Sequence, residues 1–161
     1  MSEPPLISAA VAEFIQSGLS ITVAARGARL VPSIAKAVAC RVDADRRSVT
    51  VLLFGAGAAA VCRDIEHNQQ VAVCFSRPSN HETVQLKGSD ARTQPATPQD
   101  VAAARRSLDL FAEDLGPMGW GPGYVDTLFW RNPDELLAIR FTPQGAFAQT
   151  PGPAAGTRLK A

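Results

Sequence analysis

Residues 54–61 read FGAGAAAV, and the fold turns on what that stretch is. It follows the strand-like run SVTVLLF (48–54) and leads into the helix-like AAAVCRDIEHN (58–68). Gly55, Gly57 and Ala60 match a loose form of the glycine pattern that opens a dinucleotide-binding βαβ unit. Such a unit carries its fingerprint on the first strand and then repeats βα pairs. Here the glycines follow the third strand, two hairpins come before them, and Ser76 and Arg77 stand where an acidic residue is expected. The stretch is a tight turn. A helix beginning just beyond it still directs N–H groups outward, toward any anion that approaches.

The flanking segments agree with that reading. LSITVAAR (19–26) alternates as a half-buried strand. Arg26-Gly27-Ala28 turns it into a long second strand, SIAKAVACRV (33–42), and DADRR (43–47) turns that into the third. Before them, Leu6, Ile7, Ala10, Val11, Phe14 and Ile15 share one face of a first helix over 6–17, closed by Gly18. Downstream, QVAVCFS (70–76) and HETVQLKG (81–88) are strands; Thr83, Gln85 and Lys87 share one face of the latter. TPQD sets Thr97 as N-cap and Pro98 as first residue of a helix running to Leu115. GPMGWGPGY (116–124) reads as an ordered loop, and ELLAIRFT (135–142) and GAFAQT (145–150) as closing strands. PGPAAGTRLKA (151–161) reads as a mobile tail, leaving one domain over 1–150. Tight turns between consecutive strands imply antiparallel pairing. The order predicts a mainly β protein, an antiparallel barrel with accessory helices.

Composition narrows the function. Sixteen basic against fifteen acidic residues give a net charge of +1, too little to drive binding to nucleic acid by phosphate neutralisation. No apolar run reaches membrane-spanning length, and MSEPPLIS lacks the basic start and apolar core of a signal peptide. Cys40, Cys62 and Cys74 are odd in number, form no CxxC and sit in apolar runs. They read as buried thiols of a reducing compartment, and the chain as a cytoplasmic protein.

The passage DIEHNQQVAV (64–73), the strand VQLKG (84–88) and the ending RFTPQGAFAQT (140–150), in this order of elements, resemble the pyridoxamine 5′-phosphate oxidase-like family of FMN-binding split barrels. The likeness covers residues 8–150. It implies an antiparallel split barrel of six or more strands, a homodimer, and two FMN sites across the dimer interface. It further implies flavin-dependent oxidoreductase chemistry on a small molecule. In that family basic side chains on the second strand and at the start of the helix after the third strand grip the flavin phosphate. Here the resemblance points to Ser33 and Lys36 on the second strand, where Arg41 is also available. At the helix start stand Ala58, Ala59, Ala60 and Val61, and Arg63 is the nearest base. Gln85 matches the polar position that the family places near the cofactor, and Lys87 shares its face.

The missing base leaves other readings open. One is a non-enzymatic dimer that has lost flavin and binds another small molecule or none. Another is a pocket widened by Ala56–Ala60 for haem or a deazaflavin. The C-terminal QTPGPAAGTRLKA differs from the substrate-binding end of the pyridoxamine phosphate oxidases, which argues against that reaction. His67 and His81 lack the neighbours a metal site or nucleophilic catalysis needs. Trp130 reads as core or dimer interface, and Trp120, among glycines, as a lid or partner contact. No side chain stands out as a proton donor, which suits direct hydride transfer.

Overall fold

In chain order, residues 4–161 of the computed structural model form α1 (Ala9–Ile15), β1 (Ser20–Arg26), β2 (Pro32–Ala37), β3 (Ala39–Val42) and β4 (Val49–Phe54). Then come α2 (Ala59–Asn68), β5 (Val71–Ser76), β6 (Thr83–Gly88), β7 (Arg92–Pro95) and α3 (Pro98–Leu115). The chain closes with α4 (Pro122–Phe129), β8 (Leu136–Phe141) and β9 (Gly145–Ala148). The strands make two antiparallel sheets, ordered β2-β1-β5-β6-β9 and β3-β4-β8-β7.

What was expected as one long second strand bends at Val38 and changes sheets, as β2 and β3. The same device recurs between β6 and β7 and between β8 and β9, where three residues carry the chain across each time. Three such corners fold the sheets face to face without joining their remaining edges. The result is an open, split barrel.

Two cores follow from the strand parity. Val49, Val51 and Leu53 of β4 face into the barrel with Ile21, Val23, Val73, Phe75, Leu86 and Ile139. Leu52 and Phe54 face the other way, against Leu108, Phe111 and Leu115 of α3 and Val125 of α4. The smaller sheet is therefore covered on both faces, and β4 is buried throughout. The larger sheet is not: its outer residues run half-buried to exposed.

Local signals explain the helices. Thr97 Oγ1 accepts from the Asp100 amide while Asp100 returns a bond to the Thr97 amide, a reciprocal cap that starts α3 at Pro98. Gly18, with φ +76°, follows α1; a Cβ there would lie 2.4 Å from Leu110 Cβ of α3, so only glycine lets the two helices approach.

Three segments depart from expectation. The expected loop ends in a helix: Gly121 precedes Pro122 at the first turn, and VDTLF continues α4. β7, RTQP, is a strand because β8 pairs with it from Arg92↔Arg140 to Pro95↔Leu137. Residues 151–161, expected as a mobile tail, return along β9, where Ala148 N–H donates to Thr157 O and Leu159 N–H to Ala146 O.

Candidate functional site

A cleft of about 630 Å³ opens where the two sheets part at Val38. One wall is Thr22 of β1 with Ile34, Ala35 and Lys36 of β2; Phe54, Ala56 and Gly57 form its end. Leu128, Phe129 and Arg131, from the end of α4, close the far side. A hollow of about 700 Å³ between Pro5–Leu6 and the C-terminal residues is larger, but its walls are chain ends and turns, and no sequence-derived candidate lines it.

Two cations line the cleft, Lys36 and Arg131, and Lys36 is the one the sequence singled out. Its Nζ donates to Ser20 Oγ at 2.7 Å and to Thr22 Oγ1 at 3.2 Å, and it takes part in no ion pair among the described residues. Lys36 is exposed on the outer face of β2, but the protein around its ammonium desolvates it in part and lowers its pKa below the usual lysine value. The FGAGAAAV turn proves to be a single 3₁₀ turn, Gly55–Gly57, and α2 starts after Ala58 with no side chain capping it. The amides of its first turn are thus left to solvent or to a ligand at the Ala56–Gly57 end of the cleft.

The other candidates divide by strand parity. Ser33 points to the opposite side from Lys36, and its hydroxyl donates to Asp64 Oδ2 of α2 at 2.6 Å. It fastens β2 to α2 and does not line the cleft. Arg63 is exposed on α2, also outside the lining. Arg41 is turned to Asp100 at 2.6 Å, across the smaller sheet.

Gln85 stays in line with Lys36. Lys36 lies opposite Thr22, Thr22 opposite Cys74, Cys74 opposite Gln85, and Gln85 opposite Phe147, one row across the open face. At about 4.8 Å per strand, Lys36 and Gln85 are roughly 14 Å apart. Gln85 Nε2 donates to Cys74 Sγ at 3.5 Å, and Gln149 Nε2 to Gln85 Oε1 at 3.4 Å, both weak bonds that a ligand can replace. Lys87 lies one row further, its Nζ 5.0 Å from the centre of the Phe147 ring, and lines a different hollow.

Arg131 is the lining cation that sequence reasoning missed. Its guanidinium donates to the carbonyls of Thr127, Leu128 and Trp130, closing the C-terminus of α4. A cation directly after the apolar helical run TLFW was its sequence signal. Trp130 packs edge-on to Phe54, ring centres 5.8 Å apart, beside the second core. Trp120 is exposed and lies against Tyr124, ring centres 4.3 Å apart. The thiols differ from expectation: Cys40 is buried, whereas Cys62 and Cys74 are half-buried.

No family model and no curated protein matches the chain by sequence. Solved structures do match. HupZ of Group A Streptococcus superposes with a TM-score of 0.57 at 14% identity, over 94% of this chain and 99% of its own. An F420 reductase gives 0.53 at 15% identity over 83% and 93%. A pyridoxamine 5′-phosphate oxidase-related, FMN-binding protein of Nostoc punctiforme gives 0.51 at 12% identity over 97% and 99%. The chain has the split-barrel fold of the pyridoxamine 5′-phosphate oxidase-like proteins. At such identities the likeness is one of fold, and the site of this split barrel rests on its own residues.

Proposed function

We propose that this split barrel binds FMN in the cleft at Lys36 and serves as a flavin-dependent oxidoreductase of the pyridoxamine 5′-phosphate oxidase-like family, acting on a small molecule. The observation that carries the reading is Lys36: a cation with no carboxylate partner among the described residues, in a cleft of the size that takes a cofactor. The residues fit the group. A phosphate beside Lys36 supplies the missing counter-charge, and the uncapped start of α2 adds amide donors. Ser20 and Thr22 orient the ammonium. Leu128, Phe129 and Phe54 offer apolar surface, and Gln85 offers an amide further along the same row. FMN, when bound, supplies the hydride chemistry. No carboxylate or histidine lines the cleft, so the chain's role is to bind, orient and exclude water.

A homodimer is part of the proposal. Leu30, Val31 and Ile34 are exposed by 67%, 60% and 69% on the rim of the open sheet beside the cleft, apolar surface suited to a second copy. Sedimentation at micromolar concentration checks it.

One observation favours a second reading, a split-barrel dimer without flavin. The helix start offers Ala58, Ala59, Ala60 and Val61 in place of a base, and Ser33 is engaged by Asp64. Quenching of FMN fluorescence separates the two. Lys36→Ala should weaken FMN binding by about tenfold or more, the loss of one charge-assisted contact. Arg63→Ala should leave binding unchanged. Equal binding by wild type and Lys36→Ala would remove Lys36 from the site.

A further inference from the structure

The open sheet carries another hollow, of about 380 Å³, away from the Lys36 cleft. Ala24 and Ala72 form its floor, and Arg26, Gln70, Lys87 and Gln144 stand around it. The register explains the convergence. Ala24 lies opposite Ala72 and Ala72 opposite Lys87, so one row holds two short side chains and then a cation. Arg26 lies two residues beyond Ala24 on β1 and therefore on the same face. Alanines keep the floor low while long polar side chains form the rim.

The rim's charge is one-sided. No carboxylate lines the hollow, and neither Arg26 nor Lys87 joins an ion pair among the described residues. Arg158, whose Cζ is 6.0 Å from the centre of the Phe147 ring that Lys87 approaches at 5.0 Å, belongs to the neighbouring hollow at the C-terminal residues and not to this rim. The rim thus presents two cations and no counter-charge, in a chain whose net charge is only +1. Gln70 adds an amide whose side chain bonds nothing else among the described residues. Cations from two strands, an amide between them and a low apolar floor make a receptor for a compact anion of more than one charge.

We propose that this hollow is a second binding site, separate from the Lys36 cleft, for a small molecule bearing two or more negative charges as carboxylate or phosphate groups. The site stands on Arg26 and Lys87 and does not depend on flavin in the cleft.

The test follows backbone amide resonances of the full chain as inorganic pyrophosphate is added. Saturable shifts are expected at Arg26, Ala72, Lys87 and Gly88, undiminished in Lys36→Ala. Affinity should fall about tenfold in Arg26→Gln and again in Lys87→Gln. Both side chains are exposed, so these variants keep the fold, which circular dichroism checks. Competition by citrate would extend the site to carboxylates; its failure would restrict it to phosphates. Shifts confined to Lys36, Ala56 and Gly57 overturn the proposal, as does equal affinity in the double variant. It is also overturned if pyrophosphate gives no saturable shift and the two substitutions instead abolish self-association, which would assign the hollow to a carboxylate of a second copy.

Discussion

Replacing Asp100 tests how α3 is held to the barrel. Asp100 is fully buried; its carboxylate accepts from Arg41 Nε at 2.6 Å and, at 2.8 Å, from both the backbone N–H and the hydroxyl of Thr97. Burial alone would raise its pKa, but the Thr97 bonds and the Arg41 guanidinium outweigh burial and hold it below the usual carboxylate value. Asp100→Ala loses the reciprocal cap, about 1 kcal/mol, and a charge-assisted bond worth roughly 2 kcal/mol, and it leaves the half-buried Arg41 unpaired. The expected cost is about 3 kcal/mol, or a fall in Tm of roughly 6–12 °C for a domain of this size. Asp100→Asn keeps part of the cap and should lose about half of that.

The pH dependence gives the sign. A carboxylate with a depressed folded pKa stabilises above its unfolded pKa, near 3.9, and that stability is lost as pH falls through the folded value. The gap between wild type and Asp100→Asn should therefore be full at pH 7 and shrink below about pH 4. Urea melts across this range measure it. A loss under about 1 kcal/mol in Asp100→Ala at pH 7, or a wild-type-to-Asn gap that stays constant into acid, would refute the reasoning.

Other sites yield simpler expectations. Gly18→Ala should destabilise by more than about 2 kcal/mol in chemical melts, because the new Cβ falls 2.4 Å from Leu110 Cβ and the backbone has φ +76°. Thr50→Val should stabilise by roughly 1 kcal/mol, since Thr50 Oγ1 is buried without a partner among the described residues and the isostere removes that cost. Native protein treated with a chromogenic disulfide should release colour from Cys62 and Cys74 but not from Cys40, whose thiol is buried and pushed far toward its protonated form. Denaturant should expose it.

Most strands along the chain, the antiparallel hairpins and the α3 cap were legible because each had a local signal: alternation, a polar turn, or Thr97-Pro98 with Asp100. The bend at Val38 was not, since AKAVACRV alternates through it and the change of sheet is set by what packs on each side. β7 escaped because RTQP has neither apolar residues nor length; only pairing with β8 makes it a strand. α4 was hidden by glycines that read as loop, although Gly121-Pro122 ahead of an apolar run is also a helix start.

In the site, parity held information that a list of polar residues did not use. Ser33 and Lys36 are three apart on one strand, so their side chains leave opposite faces, and Ser33 turns to Asp64. Gln85 and Lys87 share a face, yet the row Lys36–Thr22–Cys74–Gln85 is visible only once strand order is known. Arg131 reaches the cleft through α4, which the sequence reading lacked.

The central claim is that the cleft at Lys36 holds FMN. The most direct measurement is the visible absorbance spectrum of the purified chain after FMN is added and the excess removed. A retained flavin band is expected, lost in Lys36→Ala. A colourless wild-type protein that releases all added FMN would contradict it.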